Sequence, residues 1–358
     1  MVVFRYLIKH IVLTMLAVAA VLLLVVMGSK VIRYISDAAA GELPLALVGR
    51  LVMYQMPGFL QLILPLAFFL GILLAYGQLY LNSEMTVLRA CGISPAKVLR
   101  VSLWPAAVVA AIVALCSLWY GPQGKHLIAE ALYKQQQQAD FSVLSPGRFR
   151  KLGEKTLYAE SISDNNSRLK NVFVIESQRI QNEPTEVITR ADSGYQVRDE
   201  HSGSRYLVLS DGERYAAEAG QHNVERLKFA SYAARLQDSL KQYSVDEMDA
   251  RPTAQLFADS SPKAQGELQW RWSLALMVPI LTLLAMSLSK VDPRQGRFAR
   301  LLPAIVLHIV YLSLLLTAQN FIGNERIPAS VGVWPVHAAF LLLGGWLLRR
   351  TFSQKGLR

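Results

Sequence analysis

Six stretches of the chain have, fully or nearly, the apolar pattern of a membrane-crossing helix, which takes about 20 mostly apolar residues. They are Ile11–Met27, Leu51–Leu81, Val101–Tyr120, Trp272–Ser289, Leu301–Phe321 and Ile327–Leu348. The second is longer than one crossing and contains Pro57 and Pro65, which predicts a kink or an amphipathic lead-in. The last is expected to begin late, because Pro328 and Pro335 favour a helix start nearby. Between the third and fourth stretches the pattern changes to β: alternating or β-branched runs at Lys155-Thr-Leu-Tyr-Ala-Glu, Asn171-Val-Phe-Val-Ile-Glu, Glu186-Val-Ile-Thr-Arg, Gly194-Tyr-Gln-Val-Arg, Arg205-Tyr-Leu-Val-Leu-Ser and Arg226-Leu-Lys-Phe-Ala-Ser-Tyr. Turn signals at Asp164-Asn-Asn-Ser, Asn182-Glu-Pro, Ser202-Gly-Ser and Asp211-Gly212 separate them, so the insert reads as many short strands in a sandwich, jelly roll or barrel. The Gln135–Gln138 tract reads as a polar helix or linker leaving the third span, and Asp246 to Gln265 as the return linker. The basic-then-apolar start, with no small-residue cleavage site after it, reads as a retained first helix rather than a removed leader.

Charge divides the chain along the same line. Residues 121–266 carry 19 Lys/Arg against 20 Asp/Glu, and the rest carries 18 against 6, so the net +11 belongs to the membrane part. Basic residues in short loops beside apolar spans are a topology signal, and nucleic-acid binding, which needs a basic soluble face, is excluded on that ground. With the N-terminus inside, the inner segments hold thirteen basic residues, among them Arg5, Lys9, Arg89, Lys97, Arg100, Arg294, Arg297, Arg349 and Arg350. The short outer segments hold four, Lys30, Arg33, Arg50 and Arg326. That bias places both termini in the cytoplasm and the β insert outside, in a Gram-negative cell the periplasm. Both cysteines, Cys91 and Cys116, fall in the membrane part, so the insert has no thiol for a disulfide or a zinc site and must rely on its core.

The chain carries no phosphate-binding loop; Gly121-Pro-Gln-Gly-Lys-His lacks the spacing and the Ser/Thr. It also lacks an HExxH zinc motif and a GxSxG elbow, so it reads as no enzyme and as binding no metal. Lys30 and Arg33 stand three apart, on one helical face, at the outer end of the first span and against the positive-inside bias. Two readings stand: snorkelling to the interface, or a cationic collar for a phosphate-bearing lipid, with Tyr34 and Asp37 setting its exposure. The loop from Leu81 to Val98 predicts a short helix over about 82–92, capped by Asn82 or Ser83, with Glu84 in its first turn and Gly92 at its end. Met85 and Leu88, with Val87 near them, face one side, and Glu84 and Arg89 are more exposed. Such a helix suits docking of a soluble ATPase, or interfacial anchoring. The Arg294-Gln-Gly-Arg turn reads as topology. His308 and Gln319, inside the fifth apolar run, read as helix-to-helix hydrogen bonds before substrate contacts.

Taken together, Phe4-Arg-Tyr-Leu, Gln61-Leu-Ile-Leu-Pro-Leu, Ser83-Glu-Met-Thr-Val-Leu-Arg-Ala-Cys-Gly-Ile-Ser and Val291-Asp-Pro-Arg-Gln-Gly-Arg resemble the LptF/LptG permease family of the lipopolysaccharide export ABC transporter, over essentially the whole chain. The last segment has Asp292 where the family pattern has Asn, and it favours the F-type branch over its G-type sibling. The resemblance implies an α-helical membrane protein with six transmembrane helices and an inserted all-β periplasmic domain, a β-jelly roll. It divides the chain into 1–122 (three spans and a cytoplasmic coupling helix), 123–265 (the jelly roll with helical linkers) and 266–358 (three spans).

The implied partners are a homologous G-type permease, two copies of a cytoplasmic ATPase, a bitopic LptC-like jelly-roll partner and lipopolysaccharide. ATP and Mg are used by the ATPase, and no cofactor is bound by this chain. Lys30 and Arg33 would meet lipid phosphates, Glu84 and Arg89 would lie in the coupling helix, and His308 would lie near one of the lateral gates that spans one and five form with the sibling permease's spans five and one. Moving acyl chains out of a bilayer exposes about 0.8 kcal/mol of apolar surface per CH₂, so extraction needs both ATP and an apolar shelter. Two rivals remain. A secondary transporter would show inverted repeats and intramembrane acids, which the uncharged span interiors argue against. A mechanotransmission permease would need no cationic collar or lipid-sized cavity.

Overall fold

The computed structural model describes residues 2–39, 43–138, 147–152, 155–163, 168–180, 183–198, 205–218, 224–236, 248–290 and 300–353. These form two compact units, one of Met1–Arg33, Val48–Ile128 and Val245–Arg358 and the other of Tyr34–Leu47 and Ala129–Ser244.

The helices, which belong to the first unit apart from residues 34–39, 45–47 and 129–138, are α1 (Val2–Ala39), α2 (Leu45–Leu81), α3 (Glu84–Ala90), α4 (Pro95–Leu115), α5 (Gly121–Gln138), α6 (Thr253–Ala258), α7 (Pro262–Leu288), α8 (Leu301–Gly323) and α9 (Trp334–Ser353). Helices α4 and α7 start alike, each with Pro at its first position after a serine whose hydroxyl accepts a backbone N–H, Lys97 on Ser94 and Ala264 on Ser261, both at 3.3 Å. That combination meets one orphan donor and pre-sets φ. A π-helical turn, Cys116–Tyr120, joins α4 to α5.

Five helical stretches are long and apolar enough to cross a membrane: α1, α2, Pro95–Leu132, α7 and α8. The sixth expected span starts at Trp334 rather than Ile327, after a turn in which Gly332 has φ 52°. With Arg349 and Arg350 closing it, α9 is left with a shorter apolar run than a full crossing needs. Helix α2 runs unbroken through Pro57 and Pro65.

Helix α7 is the hub, with 67% of its apolar stretch buried, against 17% for α1 and 28% for α8. The outer two helices therefore keep broad apolar faces exposed, Leu13, Val21 and Leu24 on one and Leu302, Val306 and Ile309 on the other. Helix α1 meets α2 where Gly71 leaves room: a Cβ there would stand 2.9 Å from the Cα of Met15.

The second unit is one antiparallel sheet of six strands among the described residues, β1 (Arg150–Leu152), β2 (Lys155–Ser163), β3 (Arg168–Ile180), β4 (Glu183–Arg198), β5 (Arg205–Glu218) and β6 (Val224–Leu236), ordered as in the chain. The strands are longer than the sequence pattern predicts. The runs at Glu186 and Gly194 are one strand, β4, and Asp211-Gly212 is no turn but the middle of β5. The turns expected at 164–167 and 202–204 lie outside the described residues, as does Asn182 of the third, whose Glu183 and Pro184 are instead the first residues of β4.

What the sequence patterns mark as breaks is a crease. Ladder pairing is interrupted at Glu160, Asn171, Asp192, Asp211 and Ala230, residues that lie opposite one another on successive strands. Asn171 and Asp211 have φ 48° and 54°, the left-handed region that Asn and Asp tolerate best after glycine. The buried positions slip by one at this line, from Val187, Thr189 and Ala191 to Gly194 and from Leu169 to Val172 and Val174. One apolar face results, with Leu157, Leu169, Val172, Leu207 and Leu209 at its core.

On β5, Glu213 takes Arg226 of β6 through two bonds, 3.0 and 2.5 Å, with Lys228 at 3.2 Å. The Arg226 guanidinium, with the Tyr215 hydroxyl next, holds the Glu213 carboxyl down at about 2. A depressed carboxylate supports the fold above its unfolded value of about 4.3 and loses that support as pH falls towards 2. Amide exchange in β6 is therefore expected to quicken between pH 4.5 and 2 relative to a Glu213→Gln variant at the same pH. Parallel profiles for the two proteins would show that the pair contributes nothing.

Candidate coupling and lipid-phosphate sites

The predicted coupling helix is α3, seven residues from Glu84 to Ala90. Neither Asn82 nor Ser83 caps it through a side chain. Ser83 takes φ 62°, its carbonyl receives the N–H groups of Thr86 and Val87 at 3.0 and 3.1 Å, and its side chain makes no cap bond. Asn82 instead donates to Glu84 Oε1 at 3.2 Å. Gly92, at φ 84°, closes the helix, with its N–H on the Arg89 carbonyl and that of Ile93 on Leu88, both at 3.0 Å. Met85 is buried and Leu88 packs against the helical core, which leaves Val87 exposed with Thr86 and Ala90.

Two side chains from distant parts of the chain meet this helix. The Tyr6 hydroxyl of α1 donates to Glu84 Oε2 at 2.8 Å, and the Arg89 guanidinium lies over the Phe352 ring of α9, 5.2 Å from its centroid. Both polar residues singled out in the loop are thus oriented from within the chain, Glu84 by α1 and Arg89 by α9.

Lys30 and Arg33 lie towards the other end of α1, Lys30 half-buried and Arg33 exposed, and neither has an acidic partner among the described residues. From Tyr6 to Lys30 is 24 residues, about 36 Å of helix at 1.5 Å per residue, the scale of a bilayer's hydrocarbon core. The basic turn with Arg294 and Arg297, like Lys355 and Arg358, lies outside the described residues.

His308 is buried, 4% exposed, on the side of α8 turned away from the outward Val306 and Ile309. Its Nδ1 has no hydrogen-bond partner among the described residues, so the helix-to-helix bond expected of it is not made there. A different histidine ties the helices: His337 of α9 meets the Tyr311 hydroxyl at 2.7 Å and Ser273 Oγ of α7 at 2.9 Å. Gln319 does bridge helices, donating to Glu267 Oε2 at 2.8 Å.

That acceptor belongs to a site the sequence reading missed. Helix α7 begins at Pro262, inside the expected return linker, and so takes Glu267 and Arg271 into the bundle, where they pair at 2.9 Å. The span interiors are therefore not uncharged. The signal was present as Glu and Arg four apart, one helical face, immediately before an apolar run. Beside the pair lies a cavity of about 210 Å³ reached by Gln61, Lys125, Asp249 and Gln319. Among the described residues no group of acidic, histidine and cysteine side chains is arranged to hold a metal ion.

Five long apolar helices packed on an apolar core, with a buried polar cluster beside it and an antiparallel sheet inserted in the chain, define a multi-pass helical membrane protein with a β insert. Residues 5–350 match the model of the family described as lipopolysaccharide export system permease LptF/LptG, and the chain belongs to that family. It is 31% identical to the lipopolysaccharide export system permease protein LptF of Escherichia coli (strain K12), over 99% of this chain and 100% of that protein. Identity and coverage are the same for the LptF of Escherichia coli O157:H7 and of Shigella flexneri. The family is one of permeases, and with the apolar helices it points to a multi-pass protein of the inner membrane.

Proposed function

We propose that this chain is the permease subunit of an ATP-driven machine that extracts lipopolysaccharide from the outer leaflet of the inner membrane and passes it along the β insert. The observation that carries the reading is helix α1. One end touches the helix proposed to seat an ATPase, through Tyr6 and Glu84, and the other carries Lys30 and Arg33, in no ion pair among the described residues and suited to phosphate. The exposed apolar faces of α1 and α8 are suited to lipid or to a homologous G-type permease, with which they would form lateral gates. Two copies of a cytoplasmic ATPase, using ATP and Mg, and a bitopic LptC-like partner complete the assembly.

In this reading α9 makes the sixth crossing in a paired bundle, and both termini are cytoplasmic. The insert, 123–265 by sequence pattern and centred on the unit that includes Ala129–Ser244, lies in the periplasm. The creased sheet, with its single apolar face, serves as the jelly-roll shelter for acyl chains. Burial against Arg271 makes Glu267 a poor ion-coupling acid, which weighs against a secondary transporter.

A photoreactive side chain at Leu209, on the apolar face of the sheet, is expected to crosslink lipopolysaccharide when ATP is supplied to the reconstituted complex. One at the exposed Lys170 is expected to stay unlinked. No crosslink at Leu209 with ATP present would favour a permease that moves only its periplasmic domain.

A further inference from the structure

We infer that Arg271, Glu267 and Gln319 form a mechanical joint through which α8 acts on the chain returning from the β unit. The inference rests on the export reading and adds to it a set of positioning residues. Arg271 is 2% exposed and spends its guanidinium on irregular backbone. Its Nη1 donates to the Arg251 carbonyl at 3.0 Å and to Thr253 Oγ1 at 2.8 Å, and its Nη2 donates to the carbonyls of Asp249 and Met248 at 3.2 and 3.4 Å. The remaining donor, Nε, is on Glu267 at 2.9 Å. A rigid fork of donors suits this task, because one side chain fixes four acceptors in one plane.

The same strap is tied to the outgoing chain. Lys125 of α5 pairs with Asp249 at 2.5 Å, and Thr253 donates to the Leu118 carbonyl in the π turn. Both the exit from the bundle and the return to it are therefore held at one node.

Helix α8 reaches that node from the other side, through Gln319 on Glu267 at 2.8 Å. Packing is tight there: a Cβ on Gly266 would stand 3.0 Å from the Gln319 carbonyl. A shift of α8 cannot slide past α7 unnoticed and must pull on the Glu267 carboxylate, which is bound to the guanidinium that holds the strap. The adjoining cavity of about 210 Å³ gives the polar groups room to rearrange, where a filled core would resist. Stability alone does not account for the arrangement, since a buried ion pair is commonly no better than well-packed apolar residues of the same size.

The test is the complete complex in liposomes, reading lipopolysaccharide delivered and ATP hydrolysed in the same sample. Gln319→Leu keeps the volume and removes the donor. It is expected to lower delivery per ATP by at least about tenfold, the scale of one lost hydrogen bond to a charged group, with ATP turnover unchanged and the melting temperature lowered by no more than a few degrees. Gln319→Lys, which returns an N–H donor to the same carboxylate, is expected to recover most of the ratio. An unchanged ratio in Gln319→Leu, or a parallel fall in delivery, turnover and melting temperature, overturns the joint while leaving the export reading in place. A wild-type complex that hydrolyses ATP and delivers no lipopolysaccharide overturns the export reading, and the joint with it.

Discussion

Replacing Lys30 and Arg33 together by Glu is expected to cut lipopolysaccharide loading by tenfold or more while the complex still assembles. Each basic side chain that binds a phosphate directly contributes about 1.5–3 kcal/mol, the range for hydrogen bonds to charged groups, and reversal adds repulsion to the loss. Lys30 is half-buried and Arg33 exposed, and neither is held in an ion pair among the described residues, so the effect should fall on the ligand and not on folding. The measurement is lipid retained by the purified complex and loaded in liposomes, with subunit recovery as the control for assembly. Full loading by the reversed protein would mean that the pair only anchors α1 at the interface, as long basic side chains do.

Gly71→Ala is expected to lower the melting temperature by a few degrees. The added methyl would press on the Met15 backbone, where Cα is 2.9 Å away and N is 3.0 Å away, so a main chain must move and no flexible side-chain tip can yield instead. Overpacking of this kind costs about 1–3 kcal/mol, which in a chain of this size corresponds to roughly 1–4 °C. Gly28→Ala on α1 is the matched control, for nothing stands within 4 Å of its Cβ position. It should be neutral or slightly stabilising through helix propensity. Equal melting of the two variants would show that the α1–α2 crossing adapts. The crossing bears on function because α1 carries both Tyr6 and the basic pair, so a displaced α1 disturbs both ends together.

The helical half of the fold was legible because a bilayer demands long apolar runs, and five of the six expected spans are helices of sufficient length. The sixth was over-read at its start, since the prolines at 328 and 335 both favour a helix start and only the second lies in α9. In the insert, strand positions were visible while their connections were not. Asp, Asn and Gly mark turns because they tolerate left-handed backbone, and a crease inside a long strand draws on the same property. Asp211-Gly212 therefore looked like a loop and is mid-strand.

At the candidate sites, helix α3 and the close of its last turn at Gly92 followed from the residue pattern. The contacts of Tyr6 with Glu84 and of Phe352 with Arg89 did not, for they join residues 78 and 263 positions apart. Glu267 and Arg271 fell outside the expected span, which began at Trp272, whereas mutual pairing and the backbone carbonyls that Arg271 meets let both enter the bundle.

The π turn at Cys116–Tyr120 sets an angular offset. A π turn winds one residue more than an α turn, and at 3.6 residues per turn each residue is worth about 100° of rotation. The face of α5 is therefore out of phase with that of α4, and a helical wheel drawn straight through from Pro95 would assign Lys125 to the wrong side of the rod. The turn works as a twist inserted into a continuous shaft: it lets the first part present Val109 and Val113 to the apolar core while the second directs an ammonium at Asp249.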